Sequence, residues 1–118
     1  MPQEFKKLKV YQEAFGLSKG AYLKLQNANC SLRLREQLFG AVSSICANLA
    51  EMGAFENKAQ QKQKIITCIS EANEAEYWFD LCKELGIISA NEHADFLQKL
   101  VGIRRMLFRL LEAVKQDS

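Results

Sequence analysis

Ser44, Asn48 and Glu51 stand at i, i+4 and i+7 in the run Ser44-Ile45-Cys46-Ala47-Asn48-Leu49-Ala50-Glu51. A helix would gather them into one polar stripe. Leu38, Val42, Ile45, Leu49 and Met52 form an apolar stripe beside it. Polar groups on such a border must find hydrogen-bond partners, because each one buried without a partner costs about 1–3 kcal/mol. Two roles are open to them. They can tie helices together, with Asn48 on a backbone carbonyl at a helix end and Glu51 paired to Arg33, Arg35 or a cation of the last helix. Alternatively they can line a surface or pore that reads a ligand. The structural or assembly role is the expected one, since an internal polar residue in a bundle usually fixes register or oligomeric state.

A second group of residues could touch nucleic acid. Lys58, Lys62 and Lys64 cluster near one helix start, Arg104, Arg105 and Arg109 lie near the C-terminus, and Lys6, Lys7 and Lys9 lie near the N-terminus. About three to six phosphate contacts would give a weak, salt-sensitive complex. A ring of copies would multiply such faces. The net charge of +2 over 118 residues does not by itself mark a nucleic-acid binder, so distribution matters more than the sum.

Catalytic and metal chemistry find little support. His93 is the single histidine, no Glu is followed by a His three residues on, and Gly-rich phosphate loops, G-x-S-x-G and H-E-x-x-H are absent. Di-iron bundles need the Glu-x-x-His pair. Cys30, Cys46, Cys68 and Cys82 are separated by 16, 22 and 14 residues, which excludes C-x-x-C and short zinc spacings. Cys46, Cys68 and Cys82 fall on apolar helical positions, where a reduced thiol packs as a small hydrophobe. The expectation is a protein without enzymatic activity, cofactor, metal or small-molecule substrate.

The elements that would position these groups all read as helix. Apolar residues recur at three and four, and hairpin dipeptides are missing. With 48% hydrophobic residues, one proline at position 2 and no linker-like stretch, residues 1–118 read as a single domain. Short connections make it an all-α, up-down-up-down antiparallel four-helix bundle. The first helix is expected from Phe5 to Gln26, with Leu8, Tyr11, Phe15, Ser18, Tyr22 and Leu25 on one side and Asn27-Ala28-Asn29 as the break. Gly16 and Gly20 within it would permit close packing. Ser31 caps the second, which carries Leu34, Leu38, Ala41, Ile45, Asn48 and Met52. Asn57 opens the third, whose seam is Ile65, Cys68, Ala72, Ala75, Phe79 and Cys82 and whose stop is Gly86.

Ser89-Ala90-Asn91-Glu92 is a capping box and opens the fourth helix, which runs to about Lys115. Phe96, Leu100, Ile103, Leu107, Leu110 and Val114 make one apolar stripe on it, and Leu97, Val101, Phe108 and Leu111 a second. That exceeds the apolar arc of about 100° that one core demands, so the last helix is expected to drive self-association. Charge divides between the last two helices. Glu71, Glu74, Glu76, Asp80 and Glu84 face only Lys83, whereas Lys99, Arg104, Arg105, Arg109 and Lys115 face Glu112. The polar stretch Met1 to Lys9 lacks a secretion signal and no later run approaches about 18 apolar residues, so a cytoplasmic protein with no membrane contact is expected.

The run Gln37-Leu38-Phe39-Gly40-Ala41-Val42-Ser43-Ser44-Ile45-Cys46-Ala47-Asn48-Leu49-Ala50-Glu51 resembles the small bacterial proteins encoded within intervening sequences of 23S rRNA genes. Ser44, Ile45, Ala47, Asn48, Ala50 and Glu51 match that family's S-I-P-A-N-I-A-E-G. Glu74-Ala75-Glu76-Tyr77-Trp78-Phe79 with Leu85-Gly86-Ile87-Ile88 is similar to its E-L-E-T-Q-L and L-G-Y-I, and Leu8-Lys9-Val10-Tyr11-Gln12-Glu13-Ala14 to its L-x-V-W-Q-x-A. Three departures stand out: Cys46 replaces the usual Pro, Phe39-Gly40 stands where many relatives carry Arg-Arg, and Met52 replaces Gly. The resemblance implies a non-catalytic four-helix bundle, historically labelled ribosomal, that assembles into a homo-oligomeric ring, a pentamer, and the expected role of such an assembly is an RNA-associated scaffold. It also implies kinship in fold with the nucleic-acid-binding accessory protein of diversity-generating retroelements, which is the alternative role.

Overall fold

Three short polar or glycine-containing breaks divide the chain, and the helices fall between them. In the computed structural model, which describes residues 4–116, a 3-10 turn at Phe5–Lys7 precedes helices α1 (Lys9–Gln26), α2 (Leu32–Met52), α3 (Lys58–Glu84) and α4 (Ala90–Gln116). Met1, Pro2, Gln3, Asp117 and Ser118 lie outside the described residues, and with them the sole proline and both ends of the expected 1–118 span. No strand occurs among the described residues. Each helix packs on its sequence neighbours and α4 closes back on α1, so that α1 and α3, like α2 and α4, lie diagonally across the bundle. Cross-helix pairs such as Tyr22 with Phe39, Glu51 with Lys64, Glu76 with Arg104 and Lys24 with Glu92 make every neighbouring pair antiparallel. The body measures 46 × 21 × 20 Å, its length set by helices of 27 residues rising about 1.5 Å per residue.

Local chemistry fixes the boundaries. Ser31 Oγ accepts from the Leu34 amide at 3.2 Å and Asn57 Oδ1 from the Gln60 amide at 3.0 Å, each satisfying a donor that the first helical turn leaves free. The α3 terminus is a Schellman stop: Ile87 N–H donates to Cys82 O at 2.8 Å and Gly86 N–H to Lys83 O at 3.0 Å, with Gly86 at φ 74°. That backbone conformation favours glycine. The capping box forms as expected, with Glu92 N–H donating to Ser89 Oγ at 3.1 Å and Ser89 N–H to Glu92 Oε1 at 2.8 Å.

Glu92 also pairs with Lys24 of α1. Hydrogen bonds from Lys24 and from the Ser89 amide hold its carboxyl below the usual carboxylate range. A folded-state pKa below the unfolded one gives stability that is present above the unfolded pKa and lost as pH falls through the folded value. Glu92→Gln keeps the cap but removes the charge. The variant is expected to be less stable than the parent at pH 7, with the gap closing below about pH 4, as thermal melts across pH would record.

The core obeys the expected stripes of α2 and α3 residue for residue. Leu34, Leu38, Ala41, Ile45, Asn48 and Met52 are buried, as are Ile65, Cys68, Ala72, Ala75, Phe79 and Cys82. Helix α1 departs from expectation. Its buried face is Val10, Ala14, Leu17, Ala21 and Leu25, while Phe15 is 56% and Tyr22 51% exposed. Small alanines win the inner positions because the neighbouring helices leave no room there for rings. The expected single helix from Phe5 is also broken, because Leu8 is extended and turns Phe5 back onto Tyr11, ring centroids 5.1 Å apart. Gly16 serves no close approach, since a Cβ there would meet nothing within 4 Å; at Gly20 it would sit 3.8 Å from Phe96.

On α4, Leu100, Ile103, Leu107 and Leu111 are buried, whereas Val101 and Phe108 are 41% and 50% exposed. The second expected stripe is thus split. Leu111 belongs to the core, and an outward pair remains.

Candidate functional site

Asn48 is placed by the core stripe of α2 and is 9% exposed. Its Nδ2 donates to the Ser44 carbonyl at 2.8 Å and to Ser44 Oγ at 3.0 Å. The bond is one turn back within the same helix rather than to a carbonyl at a helix end, so Asn48 does not tie helices together through it. Glu51 does bridge helices, but not to Arg33, Arg35 or α4. Its Oε1 takes Lys64 of α3 at 2.9 Å, because the connection between α2 and α3 is short and brings the last turn of one beside the first turns of the other. The polar stripe therefore divides into a local pair, Ser44 with Asn48, and an interhelix ion pair, Glu51 with Lys64.

The six expected nucleic-acid contacts differ in exposure and in what they hold. Lys64 is committed to Glu51, and Arg104 to Glu76 of α3. The Nε of Arg104 is buried without a hydrogen-bond partner. Arg105 and Arg109 are exposed on α4, and Lys58 and Lys62 are half-buried at the start of α3. The acidic and basic helices do meet, through Glu76 with Arg104 and Asp80 with His93, the latter at 2.7 Å. His93 thus joins α4 to α3. Among the described residues no group of three His, Cys, Asp or Glu is placed to hold a metal ion, and no helix is long and apolar enough to cross a membrane.

The cysteines separate by depth. Cys68 and Cys82 are buried free thiols. Burial pushes Cys68 up to about 12, with the neighbouring Cys46 adding to the shift, and Cys82 up to about 11, with Cys30 adding. Cys46 is half-exposed; burial raises its thiol and a hydrogen bond with Ser18 opposes the shift. A thiol held protonated is a poor nucleophile.

One open surface feature is lined by residues that the stripes of the sequence misplaced. The aromatic side of α1, expected inward, faces solvent beside α2 and walls an apolar groove of about 630 Å³. Phe5, Tyr11, Phe15, Tyr22 and Phe39 line its walls. Tyr11 lies 6.0 Å from Phe15, and Tyr22 meets Phe39 edge-on at 5.5 Å. Ser18, Ser43, Cys46, Ala47 and Ala50 are the small residues lining it, and Lys6 and Lys19 are its cations. The available signal was the alternative 4-3-4-4 spacing of Val10, Ala14, Leu17, Ala21 and Leu25, which competes with the aromatic spacing on the same helix. Phe39, contributed by α2, belongs to this groove.

Comparison with known proteins places these features in context. The sequence profile of the 23S rRNA-intervening sequence protein family matches residues 6–109. A crystal structure of a protein of unknown function from the S23 ribosomal protein family, from Bacteroides thetaiotaomicron, superposes with a TM-score of 0.81 at 22% identity, covering 86% of this chain and 97% of that one. At that identity the likeness concerns the fold. No match was found among curated proteins.

Proposed function

Because the chain belongs to the 23S rRNA-intervening sequence protein family, we propose that it is a non-catalytic, cytoplasmic building block, encoded within such an intervening sequence, that self-associates and serves as an RNA-associated scaffold. The observation that carries the reading is the exposed aromatic groove between α1 and α2. A four-helix bundle whose own core is filled has no internal need for Phe15, Tyr22 and Phe39 in solvent, and contiguous exposed apolar surface marks an interaction site. Helix α4 contributes less than its sequence suggests, since among its described large hydrophobics Val101 and Phe108 stand out in solvent. A pentamer is the assembly that the family resemblance implies.

RNA association would rest on the basic residues of α3 and α4. Of the six residues first assigned to it, Lys64 and Arg104 neutralise carboxylates of their own chain, whereas Arg105 and Arg109 are exposed on α4. An assembly would repeat these cations around its circumference and raise their effective concentration. Static light scattering at micromolar concentration tests both halves, alone and with a structured 23S rRNA fragment at rising salt. The expected result is several-fold the subunit mass and an RNA complex that weakens steeply with salt. A monomer overturns the assembly reading, and absence of an RNA complex at low salt overturns the scaffold reading.

A further inference from the structure

The α1–α2 groove makes specific demands on whatever fills it. Its α1 wall runs from Tyr11 to Tyr22 and its α2 wall from Phe39 to Ala50, twelve residues each, with about 16 Å of helix between the ends of each wall. Three turns of parallel wall with small residues between them suit the edge of one helix. The charged lining residues, Lys6 and Lys19, are both cationic. An occupant that desolvates them must bring carboxylates, because a buried charge without its partner is strongly destabilising.

This chain carries one helix edge with both properties. On α3, Glu76 and Asp80 turn toward α4 and are taken by Arg104 and His93. Glu71 and Glu74 lie on the other side of the helix, where burial and their mutual repulsion push the Glu71 carboxyl up. Trp78 Nε1 donates to Glu74 Oε2 at 3.3 Å, and Tyr77, 56% exposed, meets the Trp78 ring edge-on at 4.8 Å. Carboxylates and rings therefore stand together on an outward edge with its own apolar surface. The outer edge of α4, with Arg105 and Arg109, has the same sign as the groove and fits it poorly.

We propose that the α1–α2 groove is the acceptor half of a head-to-tail contact between copies of this chain, and that the α3 edge of Glu71, Glu74, Tyr77 and Trp78 is the donor half. The assignment rests on the self-association reading and gives it an orientation. Two different surfaces pairing in this way make a heterologous contact, which closes into a ring when the rotation between copies permits. Since α3 borders α2 and lies diagonal to α1, the two surfaces of one copy diverge without pointing in opposite directions. Successive copies then turn rather than stack in a line.

Charge reversal tests the pairing. Lys6→Glu with Lys19→Glu, and separately Glu71→Lys with Glu74→Lys, should each raise the concentration needed for assembly by about tenfold or more, read by light scattering, with helical circular dichroism unchanged. The quadruple variant carrying all four reversals restores opposite charges across the contact and should assemble near the parental concentration. A parent that assembles while both double variants assemble equally well overturns this placement and leaves self-association standing. Loss in both doubles without recovery in the quadruple also overturns the pairing. A monomeric parent overturns the self-association reading itself.

Discussion

Replacing Phe79 by Ala is expected to remove about 3–5 kcal/mol of unfolding free energy, a large share of what a domain of this size possesses. The ring is 1% exposed and stacks on Phe96 of α4, centroids 4.7 Å apart and planes 17° from parallel. Along the same stripe its neighbours are Ala72, Ala75 and Cys82. None of these carries a side chain long enough to swing into the space the ring would leave. The cavity should therefore stay open, and the cost should fall toward the upper part of the range for such truncations. Phe79→Leu retains much of the volume and should lose distinctly less. Urea unfolding followed by circular dichroism measures both; a loss below about 1 kcal/mol for the alanine variant would mean that the α3–α4 contact does not depend on this ring.

Asn48→Asp should be the most damaging near-isosteric change in α2. Asn48 Nδ2 donates to the carbonyl and hydroxyl of Ser44. An aspartate places an acceptor where a donor stood, against a carbonyl oxygen and largely out of water. The expected cost is about 2–3 kcal/mol at pH 7. Burial raises the carboxyl's folded-state pKa above its unfolded value, so the penalty is full above the folded pKa and shrinks as pH falls toward about 4. Asn48→Leu removes the donor without adding charge, and because the Ser44 carbonyl keeps its helical bond the loss should stay within about 1 kcal/mol. Equal costs for the two substitutions would contradict a local hydrogen-bonding role for Asn48.

Sequence periodicity reads α2 and α3 correctly because each carries one dominant apolar stripe bracketed by a real cap: Ser31 and Asn57 at the starts, Gly86 after the end. Helix α1 carries two stripes, and residue size points to the wrong one. Tyr11, Phe15 and Tyr22 outweigh Val10, Ala14 and Ala21 on any hydrophobicity count, yet the close approach of α2 and α4 admits only the small set. Tertiary spacing, which no single segment encodes, decides the matter.

The polar stripe was visible, but its partners depend on which helix ends adjoin. A short link between α2 and α3 puts Lys64, not the α4 arginines, within reach of Glu51. Counting that link would have sufficed to find the pair. The basic residues pose a related problem, since charge along the chain says nothing about which cations already hold a carboxylate. Arg104 is spent on Glu76 in this way.

Where α2 meets α3, the interior is closed by Ala41, Ile45, Cys68, Ala72 and Ala75, each at 2% exposure or less. Apart from Ile45 these side chains are short, which favours a small separation of helix axes, and they have few rotamers with which to adjust. Across this line the Cys68 thiol reaches the Ile45 carbonyl at 3.5 Å, and a pair packed so closely is expected to behave as a stiff plank rather than a compliant sandwich. Any outer molecule that reads the plank encounters features at a constant pitch, and little ordering entropy is left to lose when it is gripped.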